Sequence, residues 1–425
     1  MLRSFVKYIM VAVTGVIVMC YGLGLLAGWV SPEKWSLPTY FVMAMPLWIL
    51  MMWGIAIFWL FCKKWFNALI IIAIMALTFG QWRNVITINK SFQSQQSTIN
   101  SQQSTVNSQQ STINSQQSTV NSQQSTINSQ QSTINSQQST VNSQQSTINS
   151  QQSTVNSQQS IKILTFNTHI FNNHRDNSFE KVVEFIKKCD ADIVCLQEFG
   201  YYYRYGASKQ EILKFFDSIY PYRHLWFKNQ NKWGENGLAT FSRYPIIKKK
   251  KIEYLSADNI SIYSDIVINR DTIRVINNHL ESNKLNQEDR EIAKKIMADG
   301  NSRQEKIDAG LKVGSRLVSG AKNRVQQVGA VRNTIEETNY KTIVLGDFND
   351  VPLSYTYNKI CGDLQDAYAL GGRWGYHWTY NKSAMLFAID HILVDEEFEV
   401  VNSKVHREMK ISDHYPMSCT IQIKD

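Results

Sequence analysis

Cysteine is scarce in this chain, six among 425 residues. None of the four in its C-terminal part, Cys189, Cys195, Cys361 and Cys419, has the spacing of a metal site, which argues against a thiolate-held centre. The even count permits a disulfide without requiring one. Cys195 sits in the strand-like run Asp192-Ile193-Val194-Cys195-Leu196, where a buried thiol packs as a small hydrophobe. Charge is missing from the middle of the chain: from Ser94 to Asn156 nine copies of Ser-Gln-Gln-Ser-Thr-(Ile or Val)-Asn follow one another, trailed by the partial copy Ser157 to Ser160. Each copy has one aliphatic residue where a coiled-coil seam needs two, and Ser, Thr and Asn are poor helix formers. One Ile or Val per heptad cannot repay the ordering of the backbone, which predicts a disordered spacer rather than a helical stalk. A flexible spacer of this length has an r.m.s. span of about 45 Å. It would keep the following domain near the preceding segment without fixing its orientation.

What is abundant lies on either side. Tyr8 to Val30, Tyr40 to Phe61 and Trp65 to Trp82 are apolar stretches, each about long enough at 1.5 Å per residue to cross a hydrocarbon core of roughly 30 Å. They predict three transmembrane helices (about 8–30, 40–61 and 65–82) in a membrane region of residues 1–90. Arg3 and Lys7 precede the first stretch, and Lys63 and Lys64 separate the second from the third, so the positive-inside rule places both in the cytoplasm. The chain after Trp82 is then extracytoplasmic, and the protein a multi-pass membrane protein. Residues 91–160 form the spacer, and residues 161–425 have the composition of a globular domain large enough for a substantial core. The formal net charge of +9 suits nucleic acid or anionic lipid and chooses neither. Its longest basic run, Lys248 to Lys251 between isoleucines, reads as an edge strand protected by charge.

The globular part repeats one device, a strand whose last residues are polar. Ile161 to Thr165 alternate and lead into Phe166-Asn167-Thr168-His169; Ile193 to Leu196 lead into Gln197-Glu198, after an amphipathic helix bearing Phe179, Val182, Val183, Phe185 and Ile186. Ile273-Arg274-Val275-Ile276-Asn277-Asn278-His279 ends in an imidazole, and the apolar run Thr342 to Leu345 ends in Gly346-Asp347-Phe348-Asn349. Strand alternation points Asp347 and Asn349 the same way if the strand persists. Ala388-Ile389-Asp390 and Ser412-Asp413-His414 complete the set. Phosphoryl chemistry needs carboxylates for a hard divalent cation, donors for phosphoryl oxygens and a base for water, and all three types are here. Tyr201, Tyr202, Tyr203, Arg204 and Tyr205 stand close behind Glu198, placed to stack on bases or bracket a lipid headgroup or simply to pack. The stretch from Glu281 to Thr334 suggests a helical insertion that covers the domain.

In these motifs and their order the globular part resembles the endonuclease/exonuclease/phosphatase superfamily, which includes deoxyribonuclease I, apurinic endonucleases, neutral sphingomyelinases and inositol polyphosphate 5-phosphatases. The resemblance implies an α/β fold, a four-layer sandwich of two packed β-sheets flanked by helices, here preceded by three transmembrane helices and the repeat linker. It implies that Glu198 binds Mg²⁺ or Mn²⁺ with Asn167 and Asp413 in or near the coordination shell. By the same likeness Asp347 activates water, Asn349 donates to a phosphoryl oxygen, Asp390 holds His414 in a dyad, and His414 and His279 stabilise developing negative charge. Two departures narrow the choice. His169 stands where apurinic endonucleases carry an acid two residues after the first Asn, which puts a second metal in doubt, and the Arg- and Tyr-Arg-containing motifs of the 5-phosphatases are absent around Asp390 and after Asn349. The expectation is a membrane-anchored phosphoesterase whose partners are the bilayer and a phosphoester, either nucleic acid or a phospholipid headgroup. A DNA or RNA nuclease, a sphingomyelinase-like headgroup hydrolase and a catalytically silent membrane scaffold are the rival functions. The scaffold predicts a lost metal or dyad position, and Glu198, Asp347, Asn349, Asp390, Asp413 and His414 are all present.

Overall fold

The structure is a computed structural model that describes residues 2–88, 160–172, 178–204, 206–256, 258–284, 303–382 and 386–424. The heptad repeat, Tyr205 and residues 285–302 of the expected insertion lie outside the described residues.

The apolar segment opens with α1 (Leu2–Leu26), α2 (Leu37–Met43), α3 (Met45–Phe61), α4 (Trp65–Leu77) and α5 (Phe79–Trp82), then the short strand β1 (Ile86–Thr87). Of these, α1 alone is long and apolar enough to cross a bilayer, over Tyr8–Leu26. The expectation of two further unbroken helices is corrected. The 40–61 stretch is two helices bent by 73° about Ala44, with Pro46 in the first turn of α3. Proline lacks the N–H that would continue a helix and tolerates only its start, so a new helix begins there. The 65–82 stretch breaks at Thr78, whose hydroxyl donates to the Ile74 carbonyl at 2.8 Å. α1, α3 and α4 run up, down and up. Trp59 Nε1 donates to Thr14 Oγ1 at 3.1 Å, Tyr21 and Thr78 share a 2.6 Å hydroxyl hydrogen bond, and a Cβ on Gly24 would lie 2.8 Å from the Met45 sulfur.

The remainder holds β2 (Ser160–Asn167), α6 (Ser178–Cys189), β3 (Ile193–Tyr202), α7 (Lys209–Asp217), β4 (Tyr222–Asn231), β5 (Gly234–Ser242), β6 (Ile246–Ile252), β7 (Ile260–Ile268) and β8 (Asp271–His279). It continues with α8 (Arg303–Glu336), β9 (Lys341–Asp347), α9 (Tyr355–Cys361), β10 (Gln365–Asp366), α10 (Ala367–Gly371), β11 (Gly375–Tyr376), β12 (Asp390–Val394), β13 (Phe398–Val405) and β14 (Met417–Ile423). Two six-stranded mixed sheets result, in the orders β10-β12-β9-β8-β7-β6 and β13-β14-β2-β3-β5-β4. Their facing sides interlock Ile163, Ile193 and Cys195 with Ile273, Val275, Ile343, Leu345 and Ile392. On one outer side Val182, Ile186, Ile212 and Phe216 of α6 and α7 bury against Leu164, Val194 and Phe241; on the other, Val328 and Val331 of α8 and Ile360 of α9 bury against Ile276 and Val344. Helix, sheet, sheet and helix follow in order, each apolar face covered by the next. The lysine run lies on β6 at the end of its sheet, as the charge pattern predicts, and all six cysteines are free thiols.

The expectation of a domain whose orientation is left open is also corrected. Residues 1–89 and 161–425 form one compact unit. Met45, Ile49, Trp82 and Val85 share a buried cluster with Val351, Leu353, Phe387 and Ile389, and β1 pairs antiparallel with β11, Ile86 opposite Tyr376. The four apolar residues on the globular side sit in loops just after β9 and just before β12, where no strand or helix periodicity marks them.

Candidate active site

Register builds the site. β8 and β9 are parallel neighbours with His279 beside Asp347, and β12 runs antiparallel to β9 with Asp390 opposite Asp347, so three adjacent strands present three functional side chains in a row. The glycine before Asp347 is needed for this: Gly346 has φ +122°, and a Cβ there would fall 2.1 Å from the Asn278 carbonyl oxygen. On the facing sheet Asn167 ends β2, next to Gln197 of β3. β3 then slips register against β5 between Leu196 and Phe199, and Glu198 takes φ +46°. A bulge at this point re-aims one side chain, here the Glu198 carboxylate into the cleft. His169 and Asn349 also have left-handed φ values, +48° and +52°, so three non-glycine site residues hold a conformation that costs of order 1–3 kcal/mol each. For Asn349 this corrects the alternation expected from sequence: β9 ends at Asp347, and Asn349 is placed by a turn, its N–H donating to Asp347 Oδ1 at 2.9 Å.

The two sheets meet through polar contacts at this edge. Asn167 Nδ2 donates to Asp347 Oδ2 at 3.0 Å and to Glu198 Oε1 at 3.2 Å, and behind it Gln197 Nε2 donates to Asn277 Oδ1 at 2.7 Å. His279 Nε2 lies 3.8 Å from both Glu198 Oε1 and Asp347 Oδ2, near enough for charge to be felt but beyond hydrogen-bond length. His414 Nδ1 meets Asp390 Oδ2 at 2.8 Å and its Nε2 lies 3.6 Å from Asp347 Oδ2. Burial opposes a charge on His414, but Asp390 and Asp347 outweigh it and raise the imidazole to about 10. Burial pushes the Asp347 carboxyl up to about 6, against the pull of His414. Burial also favours the neutral form of Asp413, but its hydrogen bond to His169 and the charges of His414 and Lys382 hold it well below the usual carboxylate range. His169 is raised in turn, chiefly by that 2.8 Å bond.

Of these groups His169, Glu198, His279, Asp347, Asp413 and His414 line one cleft of ≈280 Å³, together with Asn349, while Asn167 and Asp390 reach it through their hydrogen bonds to Asp347 and His414. Clefts of ≈430 and ≈580 Å³ elsewhere hold none of the strand-end set, so volume does not locate the chemistry. The oxygen-rich donors suit a hard divalent cation. Glu198, its side chain 27% exposed, turns its carboxylate to the cleft. Asn167 presents its amide nitrogen to Glu198 and its oxygen to the His169 N–H, the orientation of a positioning donor, so ligation through Oδ1 needs the amide turned over. Asp413 is already paired with His169, with Lys382 at 3.5 Å. Asp347, Asp390 and His414 offer ligand atoms within 4.8 Å of one another, yet the short Asp390–His414 bond commits Nδ1, which favours a dyad beside a carboxylate over a ligand cage.

All eight residues singled out in the sequence fall at this edge. The aromatic cluster behind Glu198 does not come with them as a set: Tyr201 is buried against Phe227, and the Tyr203 hydroxyl reaches Glu235. Sequence reasoning missed Met43, Asn283, Tyr380, Phe387 and Ile389, which also line the cleft beside Ser282 and Lys284, because none ends a strand pattern. It also missed Arg324, fully buried on α8. Arg324 binds the Glu281 carbonyl at 2.7 Å, Asn283 Oδ1 at 3.0 Å and Asp350 Oδ2 at 3.0 Å, tying together the loops that follow His279 and Asp347. Arg324→Ala would strand the Asp350 charge in the interior, with an expected loss of about 3–5 kcal/mol in denaturant unfolding. A loss under about 1 kcal/mol, the range of exposed pairs, would show that this clamp is not structural.

The sequence profile of the Endonuclease/Exonuclease/phosphatase family matches residues 164–414, and one described as a domain of unknown function (DUF8431) matches residues 7–85. No curated protein matches the chain. Among solved structures, a family protein from Leptotrichia buccalis C-1013-b is 18% identical, covering 62% of this chain and 100% of its own, with a TM-score of 0.42. The mannosyl-6-phosphatase of Bacteroides thetaiotaomicron VPI-5482 is 17% identical over 61% of this chain and 99% of its own, TM-score 0.40. The 3′ phosphatase NExo from Neisseria, solved with a product DNA hairpin, is 18% identical over 61% and 98%, TM-score 0.42.

Proposed function

Because the chain belongs to the endonuclease/exonuclease/phosphatase family, we propose that it is a membrane-anchored, divalent-metal-dependent phosphoesterase that hydrolyses its substrate by in-line attack of water. One observation carries the reading: the row His279, Asp347 and Asp390 on one sheet faces Asn167 and Glu198 on the other, with His414 closing the gap. Asp347 Oδ2, positioned by Asn167, takes a proton from water as its oxygen bonds to phosphorus. The phosphorus–oxygen bond to the leaving alcohol breaks on the opposite side, its electron pair staying on the leaving oxygen, which takes a proton from solvent water. His414, kept cationic by Asp390, and His279 stabilise the negative charge that develops on the phosphoryl group. Asn349 Nδ2 spends one hydrogen on the Leu280 carbonyl at 2.9 Å and keeps the other for a phosphoryl oxygen. A cation such as Mg²⁺ or Mn²⁺, held by Glu198 with Asn167 and Asp413 beside it, supplies neutralisation of the scissile phosphate when bound.

The apolar helices are read as a membrane anchor in which α1 crosses the bilayer and the shorter α3 and α4 pack beside it. The up-down-up order supports this, because it sets Lys63 and Lys64 at the same end as Arg3 and Lys7, and the globular part at the other, extracytoplasmic end. The reading is tested on the purified full chain with a water-soluble aryl phosphodiester. Chelation should abolish release of the phenol and Mg²⁺ or Mn²⁺ should restore it. Turnover that survives exhaustive chelation would sink metal dependence, and no turnover of any phosphoester tried with either metal would sink the reading itself.

A further inference from the structure

The cleft has a wall that the family domain does not supply. Met43, the last residue of α2, lines it together with Glu198, His279, Asp347 and His414. Phe387 and Ile389 line it too, and both are buried in the cluster shared with Met45, Ile49 and Trp82 of the apolar segment. α3 begins at Met45, so only Ala44 stands between the cleft wall and an apolar helix. Down that helix Leu47, Leu50, Trp53, Ile57 and Phe61 leave an uncovered stripe, 40% or more exposed at each. This wall is anchored: Tyr40 of α2 lies against α8, where a Cβ on Gly314 would fall 2.5 Å from its ring, and the Trp48 indole donates to the Phe41 carbonyl at 3.0 Å.

Depth follows from helix length. The 19 apolar residues Tyr8–Leu26 rise about 28 Å, close to the roughly 30 Å of a hydrocarbon core. Directly beyond them, Gly28 abuts Asn358 and the Leu353 carbonyl of the globular part. The phosphoryl site thus sits where the apolar slab ends, the level at which a bilayer holds its own phosphates. We propose that the cleft takes a phosphoester carried on a membrane lipid, with Met43, Phe387 and Ile389 forming an apolar subsite for the chain next to the phosphate and the α3 stripe continuing it. This rests on the phosphoesterase reading above and adds its substrate class. A nucleic acid would have to enter a cleft walled by a membrane helix, which favours the lipid.

The test uses the full chain in lipid nanodiscs and a series of alkyl p-nitrophenyl phosphates, from methyl to hexadecyl, so that leaving group and headgroup stay constant while the chain lengthens. kcat/KM should rise at least about tenfold along the series, since each buried methylene favours binding. Met43→Glu should flatten the rise. A wild-type profile with no dependence on chain length, or faster cleavage of a DNA or RNA oligonucleotide than of any lipid-chain ester, overturns the proposal while leaving the phosphoesterase in place. The wild-type profile decides this even where Met43→Glu does not fold. Absence of metal-dependent hydrolysis throughout the series, the methyl ester included, overturns both.

Discussion

Asp347→Asn is expected to lower kcat by about a thousandfold, within the range that loss of a positioned general base produces, and to cost about 1–3 kcal/mol in unfolding for the Asn167 hydrogen bond it breaks. Asparagine keeps the shape and can still accept the Asn349 N–H that Asp347 Oδ1 accepts, but its amide nitrogen cannot accept the Asn167 hydrogen bond that Oδ2 now accepts, and it cannot take a proton from water. Because burial lifts Asp347 to about 6, its basic form is lost as pH falls through that value, and wild-type kcat/KM should fall on the acid side there. The residual rate of Asp347→Asn should lack that limb. Stopped-flow release of p-nitrophenol across pH measures both effects. A variant within about tenfold of wild type, short of the hundredfold minimum for such a base, would show that another group activates the water.

His414→Gln and Asp390→Asn should each cost about a hundredfold or more, the cost of losing one donor to developing charge. The double variant should be little worse than either single one, because residues that act as a unit are not additive. The informative readout is the alkaline limb. His414 is raised to about 10 by Asp390 and Asp347 against burial, so its cationic form, and activity with it, is lost as pH rises through that value. Removing the Asp390 charge lowers the imidazole pKa and draws the limb towards neutrality. A merely structural loss would lower the rate at every pH and leave the limb where it was.

The strand-end pattern was legible because each sheet delivers its functional groups where an apolar run stops, and Asn167, His279 and Asp347 do end their strands. Which strands become neighbours was not legible. The meeting of Asn167 with Asp347 across 180 positions depends on two sheets packing face to face, which local periodicity does not encode. The turn that aims Asn349 and the bulge that aims Glu198 were missed for a related reason, since left-handed backbone at a non-glycine residue leaves no mark in composition. In the apolar segment, hydropathy measured length but not continuity. Pro46, in plain view in the sequence, breaks the second stretch and so creates the α2–α3 corner that carries Met43.

The chain leaves its compact unit after β1 and re-enters it at β2, with both ends held by the same packed body. The residues between β1 and β2 therefore connect two points of one body. For a flexible loop the closure entropy grows with the logarithm of length, so doubling it costs only about 0.6 kcal/mol. Inserting or deleting whole repeat units is therefore expected to cost little and to leave the contact between the cleft and its apolar wall as it is.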